Sequence, residues 1–176
     1  MIMSIKMTVA TIAIVVTIAI TGVVVVATTA VSTNSVYAQG PQKIVVNLSG
    51  SEEVPPVQTE ATGVAEFIPG EDSVAYSVNA TNIQGVTAGH IHLGERGENG
   101  PVVVTLFKYD SRMNEVSETG TITADKVEGP LAGKQLSDLL SSMHSMGIYV
   151  NIHTIQYPNG EIRGQISNST SGMMMK

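Results

Sequence analysis

His90-Ile91-His92 places two imidazoles one residue apart, and a third lies far along the chain at His153. On a strand, alternate side chains share a face, so His90 and His92 point the same way with Cα atoms about 7 Å apart. Imidazoles at that separation can converge on one ion, which is why His-x-His on a strand suits zinc or copper. Around His153, residues 148–154 (IYVNIHT) alternate. Ile148, Val150 and Ile152 form the apolar side, so Tyr149, Asn151 and His153 share the more polar one. If the two strands are neighbours, three imidazoles meet, the usual protein contribution to an open metal site. The plainer alternatives are solvated histidines on strands of different sheets, or rings hydrogen-bonded to one another or to Glu161.

Other chemistry-bearing residues are weaker. Gly94-Glu95-Arg96-Gly97-Glu98-Asn99-Gly100 has three glycines, but no helix or Lys-Ser/Thr follows, so it is not a phosphate cradle. It reads as a tight polar loop beside the histidines, with Glu95 and Glu98 as outer acids. Glu161 and Arg163 fall on one face of the last strand, where an ion pair or cross-strand pair is expected. Met143, His144 and Met146, with Met173 to Met175, have thioethers that suit Cu(I), but helical spacing assigns Met143 to core packing. No serine sits in a Gly-x-Ser-x-Gly elbow, and no catalytic residue is assigned. Asn47, Asn79 and Asn168 each begin a glycosylation-type triplet, a pattern that also arises by chance.

The elements that must position the histidines are almost all strands. Residues 43–49, 62–68, 73–80, 86–93, 101–107, 118–124, 148–154 and 160–167 are short, rich in Val, Ile and Thr, and mostly bounded by Gly, Pro, Asn or Asp. Asn159-Gly160 between the last two predicts a tight hairpin. One helix is expected over 134–146, where Leu136, Leu139, Leu140 and Met143 recur at helical spacing and Gly147 can end it. The pattern predicts one all-β domain, an antiparallel β-sandwich of about eight strands with one short helix, over residues 43–167.

The flanks differ. Lys6 is the only charge before Lys43, and the stretch from Met7 to Thr33 is apolar apart from Thr, Ser and Gly. That layout predicts a secretory signal over 1–38, with Val36-Tyr37-Ala38 as the cleavage site. The apolar run is also long enough to span a bilayer, so an uncleaved N-terminal anchor is the alternative and would be the chain's only membrane contact. Either way the bulk of the chain lies outside the cytoplasm, secreted or at the cell surface. The tail 168–176 is polar, then Met-rich, and is expected to be disordered.

The chain has no cysteine, which removes disulfides, thiol catalysis and thiolate metal sites. All fifteen acidic residues follow the N-terminal segment. Such a surface repels phosphate backbones, and no basic run offsets it, so nucleic acid is excluded as a partner.

The blocks 48–57 (LSGSEEVPPV), 61–65 (ATGVA), 85–94 (GVTAGHIHLG), 99–106 (NGPVVVTL), 149–154 (YVNIHT) and 159–166 (NGEIRGQI) together resemble the CHRD domain, the repeat first defined in chordin. The resemblance covers nearly all of the chain after the N-terminal segment, in the family's order. It implies an immunoglobulin-like sandwich in an extracellular protein. It also marks His90, His92, Asn151, His153, Glu161 and Arg163 as positions that match the family's most recognisable motifs. The chain departs in having Gly89 where Ala is usual, and in a longer, charged 108–118 segment. Copper/zinc superoxide dismutase is similar in being a β-sandwich with His-x-His on a strand, but four histidines and no cysteine do not fill its constellation.

These readings converge on an exported, non-catalytic binding module with an extracellular protein or glycan partner. It would hold copper or zinc at His90, His92 and His153, supported by Asn151, Glu161 and Arg163. A metal-dependent redox enzyme on the same ion and a plain cell-surface structural domain are the alternatives.

Overall fold

A computed structural model describes residues 42–145 and 147–166. The expected N-terminal signal or anchor, Met146 and the tail, with Asn168 and Met173 to Met175, lie outside the described residues. The strands are β1 (Ile44–Ser49), β2 (Thr62–Pro69), β3 (Val74–Thr81), β4 (Val86–Leu93), β5 (Val102–Met113), β6 (Val116–Ile122), β7 (Ile148–Thr154) and β8 (Ile162–Gln165); helix α1 (Leu136–His144) precedes β7. All pairings are antiparallel, in one sheet of order β5-β4-β7-β8-β1-β2-β3-β6. Its two edge strands, β5 and β6, are consecutive in sequence and separated by only two residues, so the sheet curls back on itself into a nearly closed, sandwich-like barrel. The expected all-β class, strand number and single short helix are all present. Among the described residues no helix is long and apolar enough to cross a membrane.

Alternation explains the core. Ile44, Val46 and Leu48 of β1, Ala65 and Phe67 of β2, and Val74 and Val78 of β3 are buried, and residues between them are exposed or half-buried. Leu136, Leu139 and Met143 of α1 pack into the same core, so Met143 is a packing residue. The helix is shorter than its apolar spacing suggests. Gln135 and Asp138 form a capping box at its start, and the Gly147 N–H bonds to the Ser142 carbonyl just past its end.

Two boundaries depart further from expectation. Strand β5 runs through the charged stretch that follows Phe107, because Lys108, Asp110 and Arg112 face solvent on an edge strand, where charge discourages pairing with another chain. The β7–β8 connection is also not a two-residue hairpin. Pro158 takes the second position of a turn closed by Gly160 N–H to Tyr157 O at 3.0 Å. Proline's fixed negative φ suits that position, so the turn takes Pro158-Asn159 as its central pair in place of Asn159-Gly160.

Gly89 has a packing reason. It lies opposite Phe107 in the β4–β5 register, and a Cβ there would stand 2.6 Å from Phe107 Cζ. Gly120 opposite Tyr76 repeats the arrangement on the other side of the sheet, where a Cβ would lie 2.6 Å from Tyr76 Cζ. In both pairs the ring covers the glycine. Gly89→Ala is therefore expected to cost about 1–3 kcal/mol through overpacking. Adding Phe107→Leu should recover part of that loss; simple additivity of the two single effects in chemical denaturation would refute the steric account.

Candidate metal centre

Strands β4 and β7 are neighbours, which decides whether the histidines meet. Their register sets His90 opposite Asn151 and His92 opposite Tyr149, with His153 opposite Ala88 and so diagonal to His90. The three imidazoles form one cluster, with ring centroids 4.9 Å apart for His90–His153 and 5.7 Å for the other two pairs. One nitrogen from each ring can be chosen so that all three lie within 4.8 Å of one another.

This polar face is largely covered, with His90 and His153 half-buried and their neighbours more so. His92 is 9 % exposed, while Tyr149 and Asn151 are each 2 % exposed. The loops cover it and fix the rings. His92 Nδ1 bonds to the Gly100 carbonyl and His153 Nδ1 to the Pro158 carbonyl, each at 2.9 Å. A carbonyl only accepts, so both Nδ1 atoms carry the proton and both Nε2 atoms keep a free lone pair. These two Nε2 atoms and His90 Nδ1 are buried without a hydrogen-bond partner.

The supporting residues divide. Asn151 donates Nδ2 to both carboxylate oxygens of the buried Glu53, at 3.1 Å each. Arg163 lies opposite Asn151 on β8, but its guanidinium turns to Asn99 Oδ1 at 3.2 Å and the Glu95 carbonyl at 3.0 Å. Its Cζ sits 3.3 Å from the centroid of the Tyr149 ring, which stacks on His92 at 4.9 Å. Glu161 does not pair with Arg163, contrary to expectation. Its two oxygens accept from Thr59 Oγ1 at 2.7 Å and Thr154 Oγ1 at 2.8 Å, which engages both carboxylate oxygens and straps the 59–61 segment down. Glu95 and Glu98 are exposed, so the glycine-rich loop contributes backbone carbonyls rather than acids. His144 is exposed on α1, bonded to the Leu140 carbonyl, and takes no part.

Sequence reasoning missed Glu53 and the two loop carbonyls. Glu53 had one visible signal, its place just before Val54-Pro55-Pro56, a segment with little backbone freedom. Gly160 closes against this pair. Its φ is 131°, and a Cβ there would lie 2.6 Å from Glu53 Oε1.

The CHRD domain family model matches residues 44–166. The chain belongs to the CHRD domain family. No curated protein and no solved structure matches it significantly. In this CHRD domain the glycine at position 89 leaves room for the ring of Phe107.

Burial sets the charge of the site. It holds all three imidazoles below the ordinary histidine range, His90 down to about 4, with repulsion from the other two rings adding to the effect there. In the window from 6.5 to about 4 the unfolded chain binds protons that folded His90 refuses, so acidification removes stability. Glu53 acts oppositely: burial raises its carboxyl from 4.5 to about 7, with Arg163 pulling the other way. Below 7 the folded state holds a proton that the unfolded chain releases until about 4.5, so acidification adds stability. Removing the second effect should expose the first. Glu53→Gln is expected to steepen the fall in melting temperature between pH 6.5 and 4.5 relative to the native protein. An unchanged or shallower slope would mean that Glu53 keeps an ordinary carboxyl.

Proposed function

We propose that this CHRD domain is a non-catalytic, exported binding module that holds a copper or zinc ion through His90, His92 and His153. The observation that carries the reading is three buried imidazole nitrogens without hydrogen-bond partners, one on each ring, two of them opposite an Nδ1 tied to a backbone carbonyl. Fixing a ring through its other nitrogen is how proteins orient histidine ligands and choose their tautomer. The depressed affinity for protons suits the same role, because a metal needs the neutral ring. Nitrogen donors around a tetrahedral ion are separated by about 3.4 Å, given a metal–nitrogen distance near 2.0–2.1 Å. The chosen nitrogens lie within 4.8 Å of one another, so ion binding would have to draw the rings closer together. Three neutral ligands without a thiolate suit copper and zinc better than magnesium or calcium, which prefer oxygen.

Calorimetric titration of residues 39–176 with copper and zinc tests this directly. Binding at about micromolar or tighter is expected, with loss in the His90→Ala/His92→Ala/His153→Ala variant. Equal binding by that variant would rule the site out. Redox turnover of the loaded protein would favour the enzyme alternative over the binding module.

Export rests on the N-terminal segment: one basic residue, a long apolar run and small residues at 36 and 38. Protein recovered from a secreting host is expected to begin at Gln39. A product that begins at Met1 and stays with the membrane would identify the anchored form.

A further inference from the structure

Asn151 is the one polar side chain of this cluster whose role is still open. It is 2 % exposed, and its Oδ1 is buried without a hydrogen-bond partner. Its orientation is dictated by charge. With Glu53 ionised and both its oxygens accepting from Nδ2, the reverse amide orientation would press Oδ1 against a carboxylate. The register supplies the neighbours. Asn151 lies directly across from His90, two residues from His153 and two from Tyr149, all on one face of the sheet. Side chains directly opposite have Cβ atoms about 4.5–5.5 Å apart, so the Asn151 side chain stands beside that of His90 at the edge of the cluster.

An amide oxygen only accepts. A buried one left without a partner costs on the order of 1–3 kcal/mol, so this position calls for a donor. We propose that Asn151 Oδ1 selects the fourth ligand of the ion, and that this ligand is a hydrogen-bond donor: water, or a small molecule with an O–H or N–H group on its coordinating atom. Acceptor-only anions such as azide are disfavoured, because they set a lone pair against Oδ1. Glu53 is a positioning residue in this arrangement, since it keeps the Asn151 amide from turning over. The inference rests on the metal reading and adds to it a preference that a bare three-histidine site does not have.

The test uses the copper(II)-loaded protein near pH 8, with copper stoichiometry measured first. Electron–nuclear double resonance in H2O and D2O reads exchangeable protons on the copper-bound ligand, and optical titration reads azide affinity. The native protein is expected to show a strongly coupled exchangeable proton and weak azide binding. Asn151→Ala should strengthen azide binding about five-fold, the worth of one net hydrogen bond. Glu53→Gln leaves Asn151 in place but frees its amide to turn, and should move azide affinity the same way. This second variant carries the test if Asn151→Ala does not fold. Equal azide affinity in native and variant proteins that all bind copper would overturn the proposal and leave the metal site standing, as would native protein without an exchangeable proton at copper. Failure of the native protein to bind copper or zinc would remove both.

Discussion

Strand β7 is buried on both faces, and the rest of the site follows from that constraint. It lies inside the sheet between β4 and β8, and six of its seven residues are buried. Its apolar side, Ile148, Val150 and Ile152, fills the core without further demands. Its other side carries Tyr149, Asn151 and His153, whose polar atoms lose water and must be answered from within the protein. Glu53 reaches over from the segment after β1 to meet Asn151. The Gly100 N–H meets the Tyr149 hydroxyl at 3.2 Å, and the Pro158 carbonyl meets His153. Three loops distant in sequence are thus drawn over one strand by its hydrogen-bonding needs. That is why the polar face becomes a roofed chamber rather than an open surface.

The electrostatics inside the chamber are consistent with that geometry. The Arg163 guanidinium lies on the Tyr149 ring, and the other face of the stack is His92. A fixed cation two layers away opposes a second positive charge on His92, reinforcing the effect of burial. Glu53, on the other side of Asn151, feels the same cation as a stabiliser of its charged form, yet desolvation outweighs it. The chamber therefore disfavours charge on its own groups, both basic and acidic.

Much of this was legible in the sequence because it depends on alternation. Period-two patterning located β4 and β7 at their observed limits, and it placed Tyr149, Asn151 and His153 on one face without any tertiary information. Pairing between β4 and β7 was not legible, since 54 residues separate Leu93 from Ile148 and no local feature encodes their register. The outer half of β5 was hidden because an exposed edge strand has no apolar face to reveal it. The Asn159-Gly160 pair misled because Pro158 in front of it selects a different turn. Glu161 and Arg163 were wrongly joined. Side chains on one face of a strand are free to bond to whichever loop packs above them, and here they bond to two different loops.

Whether the histidines are structural or ligating is an argument about which nitrogens are satisfied. In a purely structural cluster, the rings would bond to one another or to a nearby acid such as Glu161. Glu161 is occupied by two threonine hydroxyls, and none of the ring nitrogens that face inward bonds to another ring. The satisfied nitrogens are instead Nδ1 of His92 and Nδ1 of His153, each held by a carbonyl from a loop outside the sheet. The protein thus orients two of the rings and leaves one nitrogen on each of the three without a protein partner, a cost on the order of 1–3 kcal/mol apiece where nothing else answers it. Replacing the imidazoles with apolar side chains of similar size would remove that cost and still fill the space between β4, β7 and the loops. Under the proposed function, a shared electrophile would engage all three of these nitrogens at once.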